Sequence, residues 1–161
     1  MNLKLTNQIL ANENYIYELK LLTKLEQDRI FCKHDMEHFL TVARITLMMC
    51  HEKRIVVDPD IIYATALLHD IGRTEEYINH IPHDIASVHK AEIILDEVNC
   101  NSEIKNKIIS MIQNHRNGNF IDNSLENIFY QADKKARLCF CCPALEQCNW
   151  SEDKKNLNIE I

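Results

Sequence analysis

Eight histidines occur in this 161-residue chain, and several stand beside acidic residues in ways that suit metal ligation. His69 and Asp70 are adjacent at the end of an apolar run, Ala66-Leu-Leu-His-Asp-Ile-Gly-Arg73. A buried helix gains nothing from two ionisable neighbours, because an uncompensated polar group costs about 1–3 kcal/mol on burial. Something must bind them. His34 and His38 open another apolar stretch; His80, His83 and His89 surround the start of a third; His51 and His115 each end one. Asp133 lies in Tyr130-Gln-Ala-Asp-Lys134. Imidazole together with carboxylate suits zinc, iron, manganese or nickel.

These residues have to be held by helices. With 2 Gly, 3 Pro and 46% apolar residues, the chain has too little turn chemistry for a many-stranded β fold. Apolar positions Ile9, Leu10, Tyr15, Ile16, Leu19, Leu22 and Leu25 predict one amphipathic helix over residues 3–25. A second runs from about Met36 to His51, with Phe39, Leu40, Val42, Ala43, Leu47 and Met48 inward. A third begins at the cap Asp58 with Pro59 at its first position and ends at Gly72, read as a C′ residue. A short turn over 74–79 precedes a helix from Asp84 to about Val98. Ser102 is expected to cap the next helix, which carries Ile104, Ile108, Ile109 and Ile112. After an Asn117-Gly118-Asn119 loop, Ser124 or Asn123 opens a last helix reaching Ala136.

The expected organisation is one helical domain, residues 1–137, with a Cys-rich tail, 138–161, packed on it. A net charge of −6 without a Lys/Arg-rich block disfavours duplex nucleic acid as a partner. No window approaches the ~18 apolar residues of a membrane span, so no membrane partner is expected. Seven cysteines, an odd number, with no apolar export signal read as reduced thiols in the cytoplasm.

The order His, His-Asp, Asp on separate helices resembles the HD superfamily of metal-dependent phosphohydrolases. The pieces that carry the resemblance are His38-Phe-Leu-Thr-Val-Ala43, Ala66-Leu-Leu-His-Asp-Ile-Gly-Arg73 and Tyr130-Gln-Ala-Asp-Lys134, spanning roughly 36–137. It implies an all-α HD-type bundle in which His38, His69, Asp70 and Asp133 hold a first metal ion. His83-Asp-Ile-Ala-Ser87 and Met111-Ile-Gln-Asn-His115 look like the branch that adds two histidines and a second ion, as in the di-iron enzymes that split diadenosine tetraphosphate symmetrically. Asp70 would then bridge both ions. The cyclic-di-GMP phosphodiesterases of the superfamily carry a His-His pair where this chain has His115-Arg116, which counts against that branch.

The resemblance implies one or two divalent ions (iron, manganese, nickel or zinc) and hydrolysis of a phosphoester or phosphoanhydride by metal-bound hydroxide. The expected substrate is a small phosphorylated molecule, a nucleotide or dinucleoside polyphosphate. Asp70 and His69 are the expected catalytic pair; Arg73, Arg116 and Lys134, each next to a proposed ligand, are the expected phosphate binders. The alternative from another class is a non-catalytic metal- or nucleotide-binding regulatory domain. His34 rivals His38, and its neighbour Asp35 makes a decoy His-Asp pair; His80 rivals His83 in the same way; His51 and His89 are expected to be solvated. Cys139, Cys141, Cys142 and Cys148 do not show the usual paired zinc spacing, and packing of Phe140 and Trp150 on the helices is the preferred reading of the tail.

Overall fold

The structure is a computed structural model that describes residues 2–116 and 121–159. The Asn117-Gly118-Asn119 loop lies outside the described residues. Among those described there are eight α-helices and no strand, as an all-α HD-type bundle requires. They are α1 (Lys4–Leu10), α2 (Glu13–Leu25), α3 (Met36–Glu52), α4 (Pro59–Leu68), α5 (Arg73–Asn79), α6 (His83–Glu97), α7 (Ser102–Asn114) and α8 (Leu125–Lys135). Among the described residues no helix is long and apolar enough to cross a membrane.

Helix α4 is the axis of the fold. Ile61, Ile62, Ala64, Thr65, Ala66, Leu67 and Leu68 are all buried, because α1, α3 and α7 pack around it. A helix apolar on every side is one that has neighbours on every side. Asp58 accepts the Asp60 amide at 2.9 Å and caps α4. Asp60 in turn receives the Leu5 and Thr6 amides at 2.8 Å and the Thr6 hydroxyl at 2.6 Å, fastening α1 to the start of α4. Helix α3 packs on α4 and α8, and α6 packs on α7, so the ends of five helices meet at one end of the bundle.

Local chemistry corrects four expectations. The single helix over 3–25 is two, because the Asn12 side chain accepts the Tyr15 amide at 3.0 Å and restarts the chain as a cap. The turn after Gly72 is instead helix α5. Asn101, not Ser102, caps α7, accepting the Glu103 amide at 2.9 Å. Met48, read as inward, is 47% exposed.

Gly72 is a fifth correction and the most informative. Its φ is −76°, open to any residue, so it is not a left-handed terminator of α4. A Cβ there would stand 2.2 Å from the Ser87 nitrogen and 2.7 Å from the His83 carbonyl oxygen. Glycine is needed for the close approach of α6, and the Ser87 hydroxyl accepts the Gly72 amide at 2.9 Å across the contact. That approach brings the first turn of α6, with His83, against the end of α4.

Candidate metal centre

Asp70 is the hub of the site. It is 2% exposed, two residues beyond the end of α4, and its two carboxylate oxygens face different ways. Oδ2 looks toward His69 Nε2 at 3.3 Å and His38 Nε2 at 3.9 Å. Oδ1 looks toward His83 Nε2 at 3.4 Å and His115 Nε2 at 3.5 Å. Asp133 from α8 completes the first side, its Oδ1 standing 3.3 Å from His38 Nε2 and 3.8 Å from His69 Nε2. Two groups result: His38, His69, Asp70 and Asp133, and Asp70, His83 and His115, each with ligand atoms within 4.8 Å of one another. Nitrogen and oxygen ligands about 2.1 Å from a shared ion stand about 3–3.4 Å apart, close to these spacings.

The imidazoles are oriented from behind. His69 Nδ1 donates to the Ala66 carbonyl at 2.8 Å and His115 Nδ1 to the Ile112 carbonyl at 2.6 Å. A carbonyl only accepts, so Nδ1 carries a proton and Nε2 is the nitrogen that faces the site. His83 Nδ1 meets the Glu76 carboxylate at 2.9 Å, a partner of the same kind supplied by α5. Asp35, half of the decoy pair, caps α3 by accepting the His38 amide at 3.0 Å.

A cation fits this arrangement on the evidence of unpaired atoms. His38 Nε2, His69 Nε2, Asp70 Oδ1 and His115 Nε2 are buried without a hydrogen-bond partner. Apart from Tyr15 OH and Arg73 Nε, no other buried side-chain nitrogen or oxygen among the described residues is left so. Buried polar atoms are normally paired, so three unbonded imidazole nitrogens gathered around the Asp70 carboxylate point to a ligand.

The family comparison agrees with this geometry, matching the HD-domain family model over residues 35–138. This chain belongs to the HD-domain family. A relative from Clostridium beijerinckii, described only as an uncharacterized protein, is 42% identical over 156 residues, covering 95% of this chain and 96% of its own. No solved structure matches the chain.

The two carboxylates of this HD domain's site keep their charge in spite of burial because cationic and imidazole groups surround them. Burial opposes the charge on His69, yet Asp70 and Asp133 outweigh it and raise its pKa to about 9. Burial would raise Asp70, but the Arg73 guanidinium, with His69 and His34, holds it well below the usual carboxylate range. Asp133 is likewise driven down against its own burial, by His38, His69 and Lys134. His83 behaves oppositely: burial, with Arg73 and His115 nearby, lowers it to about 4 in spite of Asp70. A neutral His83 is the form that ligates.

The three expected phosphate binders take three different places. Arg73 folds inward, its Nε 3.0 Å from Asp70 Oδ1 and its Nη2 3.4 Å from His83 Nε2. It therefore stands where a second ion would bind. Lys134 pairs with Asp133 Oδ2, and its ammonium lies 4.9 Å from the Tyr130 ring centroid. Arg116 is 44% exposed and pairs with Asp84 at 3.0 Å. All three line one cleft of about 670 Å³ with His83, His115 and Asp133.

Sequence reasoning missed or underweighted three residues of the HD domain's site. His34 is buried, with Nδ1 on Glu26 at 2.6 Å and Nε2 3.8 Å from Asp70 Oδ2, so the rival of His38 also faces the centre. Glu26 holds it firmly, accepting the His34 amide at 2.7 Å and the Tyr77 hydroxyl at 2.6 Å. Glu76 went unread because its role depends on α5 packing beside α6. Arg137, 4.0 Å from Asp133 Oδ2, was legible as the residue one helical turn after Asp133. His51, His80 and His89 are exposed and outside the site.

Proposed function

We propose that this chain is a metal-dependent phosphohydrolase acting on a nucleotide or dinucleoside polyphosphate. The observation that carries the reading is Asp70, which turns one oxygen to each of two ligand groups, three of whose residues, His83, His115 and Asp133, line a cation-rich cleft. His38, His69, Asp70 and Asp133 would hold one ion, and Asp70, His83 and His115 a second. When bound, such ions lower the pKa of water and neutralise charge on the phosphate under attack.

The chain's own residues supply the rest. Asp70 orients the attacking water from between the two groups. Ala66, Ile112 and Glu76 keep the His69, His115 and His83 rings turned inward, so no reorganisation is needed when substrate arrives. Arg116 at the rim and Lys134 and Arg137 beside Asp133 form a cationic wall that suits a chain of phosphates, although the whole molecule carries −6. A cleft of about 670 Å³ has room for a nucleotide.

A regulatory domain that binds metal or nucleotide without turnover is the competing reading, and six inward-facing ligand side chains argue for catalysis. The test is a screen of nucleoside mono-, di- and triphosphates and dinucleoside polyphosphates with protein loaded with iron or manganese. Turnover that disappears in Asp70→Asn supports the proposal. Tight nucleotide binding without turnover across the panel would establish the regulatory reading.

A further inference from the structure

The seven cysteines sort themselves by position. Cys50 is buried in the core, Cys100 packs against it, and Cys141 is exposed with its thiol turned to the Leu138 carbonyl. The remaining four, Cys32, Cys139, Cys142 and Cys148, line one end of the large cleft. Cys32 comes from the loop before α3, at the opposite end of the sequence from the other three. Its thiol lies near enough to Cys139 and Cys142 to interact with their charge, and Arg137 stands close by. Two anchors flank the group: Arg29 donates to the Cys32 carbonyl at 2.7 Å, and Asn156 donates to the Lys135 and Arg137 carbonyls at 2.8 Å.

The tail that carries three of them has almost no core. From 138 to 159 only Cys139 and Ala144 are buried, and regular structure is limited to three short 3-10 turns. Phe140 and Trp150, expected to pack on the helices, are 42% and 40% exposed; Trp150 lies on the Arg137 guanidinium at 3.7 Å. A segment with so little apolar burial normally needs a cross-link to keep one conformation. Cys139 and Cys142 have the two-residue spacing of a zinc knuckle, Cys139 opening a 3-10 turn and Cys142 lying just past its end. The spacing looked incomplete in sequence because its partner, Cys32, is distant along the chain.

We infer that Cys32, Cys139, Cys142 and Cys148 form a tetrathiolate zinc site that fastens the tail to the helical domain beside the cleft. Four soft sulfur ligands suit zinc and disfavour the harder, oxygen-seeking ions such as manganese. Binding one Zn²⁺ releases the four thiol protons to solvent and requires no oxidant. Sulfurs around a tetrahedral ion with ~2.3 Å bonds stand about 3.8 Å apart, whereas no three of these lie within 4.8 Å of one another here. Closing the set moves a coreless tail rather than a helix. The site is independent of the phosphohydrolase reading.

The test is elemental analysis of untagged protein purified under reducing conditions, with reactive thiols counted before and after chelation. The expected result is one zinc per chain that survives His69→Ala, falls by one equivalent in Cys142→Ser and is unchanged in Cys141→Ser, with Cys32, Cys139, Cys142 and Cys148 becoming reactive only after chelation. Zinc content indifferent to Cys142→Ser, or a Cys32 disulfide in the mass spectrum of native protein, would overturn it. Should Cys142→Ser fail to fold, cobalt substitution of the wild-type protein decides: thiolate-to-cobalt charge-transfer absorption supports the site, and its absence refutes it.

Discussion

The two ligand groups that share Asp70 differ in what surrounds them. The first, His38, His69, Asp70 and Asp133, has four protein ligands from α3, the end of α4 and α8, and its cations, Lys134 and Arg137, lie on the far oxygen of Asp133, Oδ2, rather than on the oxygens that face the histidines. The second, Asp70, His83 and His115, has three, and the Arg73 guanidinium already lies on Asp70 Oδ1 and beside His83. A bound cation there must displace a resident positive charge. The first group thus reads as the tighter place for an ion and the second as the exchangeable one. The lesson is that one carboxylate can serve two unequal sites when its oxygens meet different neighbours.

Substitutions can break or sharpen this asymmetry. The largest effect is expected from His38→Ala, which removes a ligand of the first group: hydrolysis should fall about 10³-fold, with the tightly held ion lost. His83→Ala should instead lose only the weaker ion. Equal losses of metal from both variants would show that the groups are not ranked. Glu76→Gln, which removes the carboxylate behind His83, should weaken the second ion about 10–100-fold and leave the first unchanged, as read by metal titration. Arg73→Gln should act in the opposite direction, tightening the second ion roughly tenfold by removing the competing charge while weakening substrate binding. A second ion that binds more weakly in Arg73→Gln would place Arg73 as a support of that group.

The smallest effect is on stability in acid. Burial alone would raise Glu26, but its bonds to His34 and Tyr77 bring its pKa from 4.5 to about 2 in the folded protein. A carboxylate depressed by folding stabilises above its unfolded pKa and loses that contribution as pH falls through the folded value. Glu26 should therefore contribute on the order of 2–3 kcal/mol above about pH 5, fading toward pH 2. Chemical denaturation of the wild type and Glu26→Gln at pH 7 and pH 3 checks it; the difference should shrink at the lower pH.

Much of this was legible in the chain. His69-Asp70 at the end of an apolar run, with His38, His83, His115 and Asp133 at the ends or on inner faces of other helices, is written in types and spacing. Asp58 with Pro59 marked the start of α4 because a cap is a local device. What could not be read depends on contacts between distant segments. Gly72 announced itself as a terminator, but its reason is the α6 backbone lying against it. His34 and His38 were posed as alternatives because one-turn spacing does not reveal that Glu26 turns His34 to the same centre. Cys32 gave no signal in the sequence, because only the fold sets it beside the tail.

The most direct measurement of the central claim is metal stoichiometry of wild-type protein and Asp70→Asn, with the cysteine-bound zinc counted separately by chelation. If Asp70 bridges two unequal groups, the wild type takes up two ions with separable affinities, and Asp70→Asn loses the second outright and weakens the first. Wild-type protein that binds one ion at His38, His69 and Asp133 with an affinity untouched by Asp70→Asn would contradict the account.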